Sequence, residues 1–136
     1  MASKVLRNAV YALLKASTDL EAAGYPPESV SPNFTPDGPE GDRFLVLRWG
    51  ITNRGISVVN QVRLSVWVYN RQPDFGPIAD ALKAVKATLP TLAGVVMAPG
   101  ESVLAVDYTG DSDDLYDDGY QAHTRWCSHT ITASGS

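Results

Sequence analysis

The densest group of side chains able to do chemistry is the segment VDYTGDSDDLYDDGY, which carries Asp107, Asp111, Asp113, Asp114, Asp117 and Asp118. Six carboxylates within twelve residues supply oxygen ligands of the kind that calcium or magnesium takes. The spacing of a calcium loop is not met. Counted from Asp111, position five is Leu115, position six is Tyr116 in place of Gly, and position twelve is Ala122 in place of Glu. The segment therefore reads as a solvated acidic turn, or as a patch that meets a partner, and no metal ligand or cofactor is assigned to it.

The second group is His123, Cys127 and His129. Even spacing puts all three on one face of an extended strand, but the two histidines then stand about 20 Å apart and cannot share a metal. Cys127 and His129 would lie about 6–7 Å apart, too far for direct proton transfer between a nucleophile and its base. A structural cysteine and surface histidines are the expectation. Phosphate-binding loops of the GxxxxGK[ST] or GxGxxG type, a GxSxG elbow and an HExxH helix are all missing from the sequence. Trp67, Tyr69, Tyr120 and Trp126 could form an aromatic platform, but only Arg63 and Arg125 accompany them, so a subunit interface is favoured over base stacking. No residue is assigned a catalytic role, and the chain is expected not to be an enzyme.

The elements that must position these groups belong to one domain spanning residues 1–136. An apolar fraction of 44% with 19% charged residues suits a globular core, and a net charge of −4 argues against phosphate-driven nucleic-acid binding. A single cysteine leaves nothing for an internal disulfide. The opening MASKVLRNAVYALLKAS spaces its apolar residues helically, with Arg7 and Lys15 among them, unlike a secretory signal. No apolar run approaches the roughly 20 residues that cross a bilayer, so a cytosolic origin and no membrane partner are expected.

Residues 3–20 read as a helix capped by Ser3, with Leu6, Val10, Leu13 and Leu14 as its stripe. Residues 24–42 hold five of the nine prolines and read as a stiff loop or arm. A strand follows over 43–51, with Leu45, Leu47, Trp49 and Ile51 on one face, then a turn at TNRG and a second strand over 58–70. In that second strand Val62, Leu64, Val66 and Val68 share one face, while Arg63, Ser65, Trp67 and Tyr69 share the other. After the break RQPDFGP, Ile78, Leu82, Val85 and Leu89 form the stripe of a helix that Pro90 ends. Residues 95–97 could be a short extended piece. Strands over 103–108 and 120–132, joined by an acidic turn over 109–119, precede a small polar tail at 133–136. The predicted architecture is α+β in the order α-β-β-α-β-β, an antiparallel or mixed four-stranded sheet with two helices on one face.

The run VRLSVWVYNRQPDFGPIADALKAVKATL resembles the tail terminator, or tail-completion, proteins of long-tailed bacteriophages. In that family a V-x-L-x-V-W strand leads into a helix opening I-A-D-A, and here the matching residues are Val62, Leu64, Val66, Trp67, Ile78, Ala79, Asp80 and Ala81. The likeness extends over most of residues 4–132. It implies a structural virion protein located in the tail or neck. Such a protein forms a ring, typically a hexamer, that caps the tail tube, ends its polymerisation and joins it to the head-side connector. The implied partners are copies of the chain itself, the tail-tube protein and the connector, with genomic DNA passing unbound through the lumen. Alternatives are a head-closure or tail-tube protein or, in another class, a divalent-cation-binding module. A six-fold ring needs two different complementary patches on each subunit. The expected interface residues are Arg63, Trp67 and Tyr69 on the second sheet face and Pro32, Phe34 and Pro36 in the arm. Asp111, Asp113, Asp114, Asp117 and Asp118 are expected to face the lumen or a partner.

Overall fold

The amphipathic stripes seen in the sequence close over one sheet in a computed structural model, which describes residues 3–32, 41–54 and 59–134. Helix α1 spans Lys4–Lys15, and its N-cap Ser3 accepts from the Leu6 amide at 3.1 Å. It buries Leu6, Val10 and Leu14. The predicted single helix over 3–20 is broken in two. Ser17 takes an extended conformation and caps a second helix, α2 (Thr18–Ala22), by accepting from the Leu20 amide. A 3-10 turn at Pro27–Ser29 leads into β1 (Val30–Ser31), a strand within what the sequence reads as loop.

Strand β2 (Arg43–Arg54) pairs antiparallel with β3 (Val59–Asn70), as the hairpin reading requires. Thr52, Asn53 and Arg54 belong to the strand rather than to a turn, and Gly55 lies outside the described residues. A bulge separates the pairs Trp49↔Leu64 and Thr52↔Val62, so Thr52, not Ile51, stands opposite Val62. Gly50 lies in this bulge, where a Cβ would sit 3.2 Å from the Arg63 Cβ, and the missing side chain lets the strands approach.

Asn70 ends β3 and is fully buried. Its Nδ2 donates to the Asp74 carbonyl and its Oδ1 accepts from the Gln72 amide, both at 3.0 Å, which winds the RQPD turn around one side chain. That turn launches α3 (Gly76–Thr88), which a 3-10 turn containing Pro90 (Leu89–Leu92) closes. Strands β4 (Val96–Ala98), β5 (Glu101–Asp111), β6 (Leu115–Asp117) and β7 (Ala122–Ser134) complete the chain.

The strand order is β1-β2-β3-β7-β5-β4, with β6 in line with β5 on the same side of β7. Among the described strands only β1 runs parallel to its neighbour, β2. The predicted four-stranded sheet with two helices is thus overturned: among the described residues the sheet has seven strands, is mixed, and curls into a half-barrel with three helices. The extra strands are two or three residues long, too short to carry a hydrophobic period. The main core lies between the helices and one sheet face, where Val62, Leu64, Val66 and Val68 meet Ile78, Leu82, Val85 and Leu89.

Candidate functional site

Strand parity carries Trp67 and Tyr69 to the sheet face away from the helices, where Phe44 and Val46 of β2 stand opposite them. Phe44, Val46, Tyr69, Tyr120 and Ala122 form a second buried cluster, with Trp67 packed against it. Phe44 stacks on Tyr69 with ring centres 4.8 Å apart, and Tyr120 meets both rings edge-on at 5.5 and 5.0 Å. Trp126 of β7 adds a tilted contact to Trp67 at 6.1 Å.

Arginines cover this cluster. The Arg48 guanidinium lies 4.4 Å from the Trp67 ring centre and donates to the Tyr69 hydroxyl at 3.2 Å. Arg71 lies over Phe44 at 4.7 Å and donates to the Tyr120 carbonyl at 3.1 Å. Burial pushes the Tyr69 phenol up to about 12, a rise that the Arg48 charge opposes. Tyr69 is fully buried within its own chain, Trp67 is half-buried, and Arg63 is exposed. Of the proposed arm, Pro32 is exposed, whereas Phe34 and Pro36 lie outside the described residues.

The acidic segment is not a simple turn. Asp111 ends β5, Leu115, Tyr116 and Asp117 form β6 against β7, and Ser112 bridges the two strands by accepting from the Trp126 amide. Its carboxylates point to separate tasks. Asp111 forms an ion pair with Lys86 of α3 at 2.5 Å, and Asp114 forms one with Arg125 at 3.3 Å. Asp117 Oδ1 accepts from the Tyr120 amide at 2.8 Å, closing the turn into β7, where Gln121 adopts φ +53°. Asp113 and Asp118 are exposed and have no ion-pair partner among the described residues. No group of three or more His, Cys, Asp or Glu among the described residues could hold a metal ion.

Cys127 and His129 do share the helix-side face of β7, opposite Val66 and Leu64. Cys127 is fully buried, and burial pushes its thiol up to about 12, leaving it without thiolate reactivity near neutral pH. His129 is also buried, contrary to the expectation of a surface histidine. Neither of its ring nitrogens has a hydrogen-bond partner among the described residues, and burial holds it below the usual imidazole range. Tyr108 meets its ring edge-on at 5.6 Å. Hydrogen bonding to Asp111 raises both the Lys86 ammonium and the Tyr108 phenol. His123 is half-buried, with Phe75 and Tyr116 each packed edge-on at 5.2 Å.

Exposed apolar side chains also gather at the far edge of the sheet, spread over both of its faces. The exposed large apolar side chains among the described residues are Val95, Val96, Leu104, Tyr108, Leu115 and Tyr116, and every one of them falls between 95 and 116. Val95 immediately precedes β4, and the others lie in β4, β5 and β6 at the far edge of the sheet. The sequence signal was present as apolar and aromatic residues interleaved with aspartates, but it is indistinguishable from the alternation of an ordinary half-buried strand.

The fold itself has a counterpart. A chain in the solved structure of the virion of the native gene transfer agent (GTA) particle superposes with a TM-score of 0.74 at 18% identity, over 96% of this chain and 95% of that one. This chain is similar in fold to a virion subunit. The likeness spans essentially the whole of both chains, so it is one of the entire fold rather than of a single part. No protein-family model matches the sequence, and no curated protein does either. No helix among the described residues is long and apolar enough to cross a membrane.

Proposed function

We propose that this protein is a structural, non-enzymatic component of a phage-like virion. More specifically, it acts as the tail terminator that caps the tail tube as a ring, ends its growth and joins it to the head-side connector. The observation that carries the reading is the whole-chain fold likeness to a virion subunit, joined to the strand–helix run from Val62 to Leu89. The chemistry is consistent with it: Cys127 is buried with a raised pKa, and the carboxylates are distributed among ion pairs and turn caps. The partners are further copies of the chain, the tail-tube protein and the connector, with DNA passing through the ring.

Native mass measurement of the purified chain, alone and mixed with the tail-tube protein of its own particle, tests this. Closed rings of defined stoichiometry, visible singly in electron micrographs and capping tubes of finite length, are expected. Long cylinders built from this chain alone would make it a tube subunit instead. A strict monomer in both settings would remove the assembly reading altogether.

A further inference from the structure

Charge is segregated across the sheet. Between Asp42 and Asp74 the chain has five arginines, at 43, 48, 54, 63 and 71, and no acidic residue. Between Lys86 and Arg125 it has seven acidic residues, Glu101 and six aspartates, and no lysine or arginine. The described part of the first stretch, 43–54 and 59–73, forms β2, β3 and the turn that follows them, while the second contains β4, β5 and β6. Strand β7 lies between the two, so one sheet carries a basic side and an acidic side at opposite ends of its strand order.

Both ends are also open. Strand β1 pairs only with Leu45 and Val46, leaving the outer edge of β2 beyond them without a strand neighbour among the described residues. Strand β4 pairs only with Glu101 and Ser102, leaving the outer edge of β5 from Val106 to Asp111 without a strand neighbour among the described residues. An open edge flanked by exposed apolar side chains is a template for association.

Resting on the assembly reading above, we infer that copies of this chain join head to tail. The acidic, apolar edge of β5 and β6 docks on the arginine-bearing β2–β3 side of the next copy. The occupant is a second copy because the complementary charge is already on the same molecule. Two identical edges brought together would set like charges against each other, which disfavours a two-fold contact and favours the unlike pairing that a ring requires. Asp107, Asp113 and Asp118 on one side and Arg63 on the other are exposed and have no ion-pair partner among the described residues. The acidic patch thus faces a neighbouring subunit rather than the lumen.

Charge reversal tests this on the full chain. Arg63→Glu alone, and Asp113→Lys with Asp118→Lys, should each weaken self-association on the order of tenfold or more. The chain bearing all three changes should recover much of the loss, and the wild-type assembly should weaken as salt rises. Melting temperature and circular dichroism establish that each variant is folded. If the wild type assembles but the variants assemble equally well, or the triple variant recovers nothing, the contact is not this one. A wild type that never assembles would sink the contact and the assembly reading together.

Discussion

At the scale of single residues, His129 shows how burial sets chemistry. Its imidazole sits beneath Tyr108 with both nitrogens unpartnered, and desolvation is the largest influence holding it below the ordinary value. The charges it senses are Asp111 and Lys86, which act in opposite senses and are themselves ion-paired. In the unfolded chain the imidazole takes up a proton near pH 6.5, whereas in the folded chain it resists doing so to lower pH. Stability contributed by the neutral ring is therefore present above about pH 6.5 and is lost as pH falls towards the folded value, by up to about 1.4 kcal/mol per unit. Urea unfolding at pH 7.5, 6.5 and 5.5 should show that decline, and His129→Leu should flatten it. Equal slopes would mean that the ring is not held neutral. Spacing alone revealed that Cys127 and His129 share a face. It could not reveal that the face is the core, because polar residue types argue for solvent until the partner strands are known.

At the scale of elements, what the sequence made legible was whatever repeats often enough to have a period. Strand β3 and helix α3 are long, and their stripes meet in the core as the pattern requires. Ile78 is fully buried in the first turn of α3. Ile78→Ala should cost about 2–5 kcal/mol through lost burial and a residual cavity, read as a lower urea midpoint with an unchanged slope. A cost near zero would mean that α3 docks without its first turn. Elements without such a period escape the pattern for other reasons. The apolar stripe of α1 continues to Leu20, which masked the Ser17 cap that restarts the helix. Strand β6 holds an aspartate in three residues against local propensity, because pairing with β7 outweighs it. The β2 bulge, which ends the alternation at Trp49, depends on glycine at position 50 and gave no periodic signal.

At the scale of the whole molecule, the core and the far edge of the sheet obey opposite rules. Inside, apolar residues are covered; along β4–β6, Val96 is 69% and Leu104 is 51% exposed, with Tyr108 and Tyr116 more than half exposed as well. Leu104 falls at the bulge between Val103 and Ala105, which breaks the register of β5 against β7. Neither Val96 nor Leu104 belongs to a buried cluster of its own chain, so cutting them back removes little folding energy. Val96→Ser with Leu104→Ser should leave unfolding within about 0.5 kcal/mol per site of wild type. Self-association, in contrast, should weaken, because these side chains gain cover only when a neighbour arrives. Sedimentation of wild type and double variant across a concentration series, beside their thermal unfolding, separates the two effects. A loss of association at constant stability marks the strip as interface. A loss of stability with association intact would return Val96 and Leu104 to the chain's own fold and leave charge alone to guide assembly.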